Sequence, residues 1–304
     1  MRVAGIDCGT NSIRLLIADI DGSNFREIYR TMEIVRLGQG VDETGQFHPD
    51  AIARTLSAVD QFAGEIARRG VEKIRFCATS ASRDATNRDL FLSGVHERLG
   101  LYPEVISGDE EATLSFQGAT KELPSSGAPF LVVDIGGGST EFVFGGAHVE
   151  SAKSVNIGCV RMSERHFKSD PPNQLEIASA TIDIQEAIAL AGQSVPLTKA
   201  KTLVAVAGTA TTVAAASLGL ETYDRHAIHL SRVSAEKVHE ISQMFLEMTR
   251  DQRAKLGYMH PGRVDVITAG SLVLSQVMIA TGAKEFVACE TDILDGIAWS
   301  LASS

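Results

Sequence analysis

Two stretches of the sequence share one pattern: VAGIDCGTNSIRLL at Val3–Leu16 and LVVDIGGGSTEFVF at Leu131–Phe144. Each begins with apolar residues that favour strands, reaches an aspartate, passes through a turn of glycines and hydroxyl residues, and resumes as a second apolar run. Two apolar runs joined by a short glycine-containing turn are typical of a β-hairpin. The repeat predicts two related lobes, each built around such a hairpin.

Strand and helix patterns alternate around the hairpins. Apolar, β-branched runs predict strands at Ile13–Ile20, Phe25–Val35 and Ile74–Ala78. Apolar residues at near-helical spacing predict a helix over Pro49–Arg69 that ends at Gly70. This mixture indicates the α/β class.

The length of 304 residues fits two lobes, because domains usually contain roughly 150 residues. Lys121–Pro129 breaks both helix and strand patterns with its prolines, serines and glycine. It predicts an N-terminal lobe of residues 1–124 and a C-terminal lobe of residues 125–290. Two lobes imply a cleft between them.

Composition and charge argue against several classes of protein. The chain is 44% hydrophobic and 22% charged, which is typical of a soluble globular protein. A net charge of −10 argues against a nucleic-acid-binding surface, because such surfaces concentrate Lys and Arg.

The N-terminus has no apolar signal core, and the uncharged stretch Thr202–Leu220 is too rich in Thr, Gly and Ala for a membrane span. The widely spaced cysteines suggest neither disulfides nor a zinc site. We expect a cytoplasmic protein without membrane or nucleic-acid partners.

Glycine and hydroxyl residues let a turn approach a phosphate closely, and successive backbone N–H groups form an anion-binding concavity. A single turn of this kind is equally compatible with a plain hairpin. Two such hairpins, with a third glycine-threonine turn after the apolar run at 203–207, favour phosphate binding. The candidate phosphate-binding residues of these turns are Thr10, Asn11, Ser12, Gly136, Gly137, Gly138, Ser139, Gly208 and Thr209.

Carboxylates beside these turns indicate a metal ion. Asp7, Asp134 and Glu141 would repel a phosphate unless a divalent cation lay between them. We therefore expect Mg²⁺ or Mn²⁺ at these residues. Turn stabilisation by a short acidic side chain is the alternative for the two aspartates.

Other charged residues have two interpretations each. Glu111 lies in the acidic first turn of a helix predicted from Gly108 to about Lys121, where the helix dipole alone would stabilise it. Directed inward, it could instead activate water for phosphoryl transfer. Arg14 and Arg83 could bind phosphate through bidentate hydrogen bonds. Arg83 could equally pair with Asp84 or with a neighbouring helix, and Arg14 has the same ambiguity.

Taken together, the motifs resemble those of the exopolyphosphatase and guanosine-pentaphosphate phosphatase family almost from end to end. Six ordered blocks carry the resemblance: DCGTNSIRLL at Asp7–Leu16, TSASRDATN at Thr79–Asn87, ISGDEEA at Ile106–Ala112, DIGGGSTE at Asp134–Glu141, GCVR at Gly158–Arg161 and AGTATT at Ala207–Thr212. The resemblance implies the two-lobed actin-like ATPase fold of actin, Hsp70 and sugar kinases, with duplicated ribonuclease-H-like domains around an interdomain cleft. It also implies that a closing helix at about residues 291–304 returns to the N-terminal lobe.

The resemblance also implies roles for individual residues. Glu111 corresponds to the base that acts on the attacking water. Asp134 and Glu141 correspond to metal-associated catalytic residues, Gly136–Ser139 to a phosphate loop, and Arg83 to an arginine that steadies the bound phosphates.

The implied activity is metal-dependent hydrolysis of the terminal phosphate of inorganic polyphosphate. Removal of the 5′-terminal phosphate of guanosine pentaphosphate (pppGpp) is an alternative, because the family shares its motifs across both substrates. A non-catalytic nucleotide- or phosphate-binding actin relative is a second alternative, and a kinase of the same fold is less favoured. Since the sequence ends at Ser304, without the extra helical domains of some members, a preference for short polyphosphates or a homodimer is a further hypothesis.

Overall fold

The computed structural model of the protein describes residues 1–22 and 24–303. The chain forms two compact units, which we call unit 1 (Met1–Gly118 with Ile293–Ser304) and unit 2 (Ala119–Asp292). Each unit contains one mixed sheet and several helices. The strands are β1 Arg2–Cys8, β2 Ser12–Asp21, β3 Asn24–Ile34, β4 Lys73–Ala78, β5 Glu104–Val105, β6 Phe130–Ile135, β7 Thr140–Gly145, β8 Val149–Val155, β9 Thr202–Val206, β10 Arg232–Ser234 and β11 Glu285–Ala288.

Helices follow most of the parallel strands. They are α1 Val41–Thr44, α2 Pro49–Arg69, α3 Ser80–Asp84, α4 Arg88–Leu99, α5 Gly108–Thr120, α6 Cys159–His166, α7 Gln174–Gly192, α8 Ala207–Ser217, α9 Arg225–Ile228, α10 Ala235–Glu247, α11 Arg250–Arg253, α12 Ile267–Thr281 and α13 Ile293–Ser300. Short 3₁₀ turns lie at Ser125–Gly127, Pro261–Arg263 and Leu301–Ser303. None of the helices in residues 1–22 and 24–303 is long and apolar enough to cross a membrane.

The sheets of the two units repeat one strand order. Unit 1 has the order β3-β2-β1-β4-β5, and unit 2 has β8-β7-β6-β9-β11, extended by β10 at the edge. In each, an antiparallel hairpin is continued by a parallel strand that pairs with the first strand of the hairpin. The predicted α/β class, with a duplicated actin-like arrangement of strands, is confirmed.

Local sequence signals account for the helix limits in unit 1. Helix α2 begins after His48, whose Nδ1 accepts a hydrogen bond from the Asp50 N–H at 3.2 Å, and it ends at Gly70 with a φ of 63°. A positive φ favours glycine because it has no Cβ to collide with the backbone. The buried face of α2, which includes Val59 and Phe62, packs into the unit 1 core. The predicted bounds Pro49–Arg69 are confirmed.

Helix α13, at the end of the described chain, packs on the other face of the unit 1 sheet. It contacts β1 and β2, and Leu294 and Ala298 share a buried cluster with Val3 and Leu16. Close approach requires small residues there: a Cβ on Gly5 would lie 3.2 Å from the backbone nitrogen of Ala298. The helix predicted at about residues 291–304 therefore belongs to unit 1.

The boundary between the units lies after Gly118 rather than after residue 124 as predicted. Residues 119–122 are held by unit 2, because the Cys289 thiol donates to the Ala119 carbonyl at 3.5 Å and His229 Nε2 lies 3.3 Å from the Glu122 carboxylate. The prolines and glycine of the following segment end the regular structure, but these contacts decide which unit the segment joins.

A glycine on α13 gives a stability prediction. A Cβ on Gly296 would lie 2.0 Å from the carbonyl oxygen of Leu114 in α5, so Gly296→Ala must separate the two helices. We expect it to lower the free energy of unfolding by about 1–3 kcal/mol, as overpacking usually does. Urea denaturation followed by circular dichroism measures this.

Gly64→Ala is the matched control, because a Cβ at this position on α2 meets nothing within 4 Å. It should leave stability unchanged or raise it by up to about 1 kcal/mol, through the better helix propensity of alanine. Equal stability of the two variants would contradict the packing of α13 on α5.

Candidate active site

The candidate base of unit 1, Glu111, is a buried carboxylate at the start of α5. The helix begins with three acidic residues, of which Asp109 and Glu110 are exposed, whereas Glu111 is only 9% exposed. Glu110 pairs with Arg75 and therefore fits the interpretation of a solvated helix start. Glu111 does not fit it, because a carboxylate is buried only at a cost unless it has a partner.

Arg83 is that partner. Its Nη1 donates to Glu111 Oε2 at 2.6 Å and to the carbonyl of Ile106 at 3.1 Å. The guanidinium lies there because α3 follows directly after β4, and the carboxyl ends of parallel strands are where open sheets place functional groups. Arg83 thus pairs with Glu111.

The surroundings of Glu111 shift its proton affinity in the direction that a base needs. Burial raises the pKa of Glu111 above its ordinary value, the charge and hydrogen bond of Arg83 oppose this rise, and the charge of Asp7 adds to it. Burial prevails, so the pKa is raised. A raised pKa makes a carboxylate a stronger acceptor for the proton of a water molecule.

The first hairpin turn presents its backbone N–H groups on one side. The carbonyl of Thr10 accepts from the Gly38 N–H at 2.9 Å, and that of Asn11 accepts from the Val35 and Arg36 N–H groups at 3.1 and 2.9 Å. A trans peptide directs its C=O and N–H oppositely, so the N–H groups of Asn11 and Ser12 point away from this segment. The Thr10 hydroxyl is buried with no hydrogen-bond partner among the described residues.

Asp7 and Arg14 flank this turn as a cross-strand pair of β1 and β2. Arg14 Nη2 lies 2.6 Å from Asp7 Oδ2, and its Nε donates to the same oxygen at 2.9 Å. The Asp7 side chain is almost fully buried. The guanidinium therefore offsets much of the charge that would repel a phosphate.

The triple-glycine turn of unit 2 is built in the same way. The Gly136 N–H donates to the Ser139 carbonyl at 3.0 Å and closes the hairpin. The carbonyls of Gly136, Gly137 and Gly138 all accept hydrogen bonds from residues 158–161. The N–H groups of Gly137, Gly138 and Ser139 consequently point to the opposite side, in the arrangement that binds anions.

Asp134 and Glu141 face each other as register partners across β6 and β7, and both are buried. Glu141 Oε1 accepts from the hydroxyls of Ser139 and Ser154, each at 2.7 Å. The hydrogen bond from Ser139 ties the carboxylate directly to the phosphate-loop candidate.

The third turn lies beside the second, because β9 is parallel to β6 and Asp134 is the register partner of Val206. Helix α8 starts at Ala207 with neither a side-chain cap nor an acid in its first turn. Gly208 and Thr209 therefore occupy a helix N-terminus whose partial positive charge is not offset by an acid in the first turn of the helix itself.

Arg263 completes this turn and was missed by sequence reasoning. Its Nη1 donates to the Gly208 carbonyl at 2.6 Å, and a Cβ on Gly208 would lie 2.0 Å from its Cζ. A side chain at position 208 would therefore displace the guanidinium of Arg263. No motif surrounds Arg263 in the sequence, so only its spatial neighbours identify it.

The residues for a divalent cation fit in part. No group of three or more His, Cys, Asp or Glu side chains suited to a metal occurs among residues 1–22 and 24–303. Mg²⁺, however, is usually held by one or two carboxylates together with substrate phosphates, and the buried pair Asp134 and Glu141 offers that donor set. Asp7 has one oxygen engaged by Arg14, and its role as a metal ligand stays a prediction.

The pKa of Glu111 can be tested without measuring any activity. We expect ¹³C NMR titration of its carboxyl group to give a pKa above the ordinary value of 4.5, and a still higher pKa in Arg83→Met, which removes the opposing guanidinium. Because the folded state favours the protonated form, the contribution of Glu111 to the free energy of unfolding should fall as pH rises through this pKa. Arg98→Met, at a guanidinium that pairs with Asp60, is the control. A pKa that falls in Arg83→Met would contradict the pairing.

Comparison with known proteins identifies the family of this chain. The model of the Ppx/GppA phosphatase family matches residues 16–304. A Mycobacterium tuberculosis protein named Exopolyphosphatase 2 is 48% identical over 99% of this chain and 98% of its own length. A Vibrio atlanticus guanosine-5′-triphosphate,3′-diphosphate pyrophosphatase is 36% identical over 59% of this chain and 37% of its own length. A crystal structure of an exopolyphosphatase-like protein superposes with a TM-score of 0.96 and 43% identity, covering 99% of this chain and 97% of that one. The chain belongs to the Ppx/GppA phosphatase family.

Proposed function

We propose that the protein is an exopolyphosphatase that hydrolyses the terminal phosphoanhydride bond of inorganic polyphosphate. The observation that carries the proposal is the buried carboxylate of Glu111, whose pKa is raised by burial and whose position is fixed by Arg83. Membership of the family and the full-length likeness to a protein named exopolyphosphatase support this substrate.

In the proposed reaction Glu111 acts as general base. Its carboxylate takes a proton from a water molecule while the water oxygen forms a bond to the terminal phosphorus. The bond from that phosphorus to the bridging oxygen breaks, and the bridging oxygen keeps the electron pair as the new end of the shortened chain. One orthophosphate and a polyphosphate shorter by one unit are the products.

Phosphate binding falls to backbone dipoles and guanidinium groups. The N–H groups of Gly137, Gly138 and Ser139 are the proposed donors to the terminal phosphate. The turn of unit 1 and the N-terminus of α8 offer further N–H donors, which suit a polyanion. Such fixed donors stabilise charge without reorganising during the reaction.

A divalent cation would assist in one way. When bound by Asp134 and Glu141, Mg²⁺ or Mn²⁺ would neutralise the phosphate oxygens beside these carboxylates. The divalent cation, a homodimer and a cytoplasmic location stay predictions from the sequence.

Hydrolysis of pppGpp is the second candidate. Its 5′-terminal phosphate is joined by the same kind of bond, and the partial likeness to a pyrophosphatase of guanosine-5′-triphosphate,3′-diphosphate favours it. The buried base argues against a non-catalytic relative, since a binding protein has no need for a carboxylate of raised pKa. It also favours attack by water over transfer to a sugar.

Substitution of the base is the sharpest prediction. Glu111→Gln removes the proton acceptor while keeping the size of the side chain, so we expect kcat to fall by about 10²–10⁴-fold, the usual contribution of a general base. Binding of tripolyphosphate should change little, as isothermal titration calorimetry can measure.

Glu110→Gln is the matched control, because Glu110 is the preceding acid of the same helix and pairs with Arg75 at the surface. It should retain turnover. Similar losses in both variants would assign the effect to the helix start rather than to catalysis.

A substrate panel distinguishes the two candidates. Phosphate release should be measured in parallel on tripolyphosphate, long-chain polyphosphate and pppGpp, with Mg²⁺ and with EDTA. We expect release from polyphosphate at the higher kcat/KM and loss of activity in EDTA. Release from pppGpp alone would assign the second candidate, and release from none of them would reject hydrolase function.

A further inference from the structure

The segment Gly158–Arg161 clamps the triple-glycine turn from behind. The Cys159 N–H donates to the Gly136 carbonyl at 2.9 Å, and the Val160 and Arg161 N–H groups donate to the Gly137 carbonyl at 2.9 and 3.1 Å. The Gly138 carbonyl receives the Gly158 N–H at 3.3 Å and the Arg161 Nε at 2.7 Å. We call this set of hydrogen bonds the carbonyl clamp.

The clamp stabilises both of its partners. Residues Cys159–Arg161 form the first turn of α6, where backbone N–H groups have no partner within the helix. Helix α6 has no side-chain cap and no acid in its first turn, so the glycine carbonyls take the place of a cap. In return, the helix N-terminus fixes the peptide planes of the turn.

Gly158 is the position where the clamp admits no side chain. A Cβ there would lie 2.3 Å from the carbonyl carbon and oxygen of Gly137 and 2.4 Å from the nitrogen of Gly138. These neighbours are backbone atoms of the turn itself, so any side chain at 158 must displace the turn.

Arg161 adds a side-chain bond to the clamp. Its Nε donates to the Gly138 carbonyl, and a hydrogen bond from a charged donor is stronger than one between neutral groups. The carbonyl it holds belongs to the same peptide unit as the Ser139 N–H. Through this bond Arg161 sets the direction of an N–H group that the proposed function assigns to phosphate.

Unit 1 contains the same device at the equivalent place. There the segment after β3 donates from Val35, Arg36 and Gly38 to the carbonyls of Thr10 and Asn11, just as the segment after β8 does in unit 2. Arg36 holds a φ of 51°, which is uncommon outside glycine. Because the same hydrogen-bond pattern occurs at the equivalent turn of both sheets, we infer that the clamp is part of how this kind of turn is built.

We propose that Gly158 and Arg161 are positioning residues that hold the triple-glycine turn with its N–H groups directed toward the terminal phosphate. The inference rests on the proposed function and adds to it, because it assigns the anion affinity of the turn to residues that contact the turn and not the substrate. It predicts that the clamp can be weakened while the acid-base group stays intact.

The experiment compares Arg161→Met and Arg161→Lys with Arg165→Met, a control on the same helix whose guanidinium pairs with Asp183. Tripolyphosphate binding is measured by calorimetry in the Glu111→Gln background, and kcat and KM in the native background. We expect Arg161→Met to weaken binding and to lower kcat/KM by about 10-fold or more, the effect of a hydrogen bond to a charged group. The acid limb of the pH profile should not move. Arg165→Met should match the parent.

Lysine distinguishes positioning from direct charge contact. If Arg161 bound substrate by its charge, Arg161→Lys would restore most of the affinity, whereas the loss of Nε should persist if the residue positions the turn. Restoration by lysine, or an Arg161→Met variant that binds as the control does, would overturn the inference.

Gly158→Ala, compared with Gly64→Ala, is a second test of the positioning role. We expect weakened tripolyphosphate binding and altered amide chemical shifts of Gly137 and Gly138. Unchanged shifts would also overturn the inference.

The proposed function and the positioning role can be rejected separately. If the parent releases no phosphate and binds no tripolyphosphate, the proposed function is rejected. If the parent does both and the clamp variants are unaffected, only the positioning role is rejected.

Discussion

The ion pair between Glu111 and Arg83 is the interaction on which the proposed chemistry of this protein depends. A carboxylate removed from water is costly, and a single guanidinium at 2.6 Å makes its burial tolerable. Pairing alone would lower the proton affinity of the carboxylate, whereas burial and the neighbouring Asp7 raise it. The balance leaves a carboxylate that is fixed in place and has a raised pKa, which the proposed base requires and which an exposed glutamate on a helix start does not provide.

The second constraint is the direction of the backbone. A chain with a net charge of −10 would repel a polyanion if it relied on its overall charge, so donors must be local. Both hairpin turns meet this need because their carbonyls are held from one side, which leaves the N–H groups on the other. A peptide N–H group that is fixed in this way cannot turn away from the phosphate to pair with a nearby carboxylate, whereas a flexible lysine side chain can.

The sequence predicted those parts of the molecule that local physics decides. The hairpins, the limits of α2 at Pro49 and Gly70, and the acidic start of α5 follow from turn chemistry and helix periodicity. The pairing of Asp7 with Arg14 lies across a hairpin and was within reach of the same reasoning. Periodicity could not tell that Glu111 faces inward while Glu110 does not, and only the resemblance to the family singled it out.

Other features depend on contacts between distant parts of the chain. Arg263 meets the turn at Gly208, and the unit boundary depends on Cys289 and His229 holding residues 119–122. Gly158 and Arg161 were visible in the sequence as part of a family motif, but their hydrogen bonds to the glycine carbonyls were not. Such contacts have no periodic signature, because each is made by a single residue whose partner lies far away in the chain.

In the proposed reaction the Glu111 carboxylate accepts the proton of the attacking water. The most direct test compares the pH dependence of kcat/KM for tripolyphosphate with the NMR titration of this carboxyl group in the free enzyme, since kcat/KM reports ionisations of the free enzyme. We expect the acid limb to have its midpoint at the pKa of the Glu111 carboxyl group. An acid limb with a midpoint away from that pKa would contradict it.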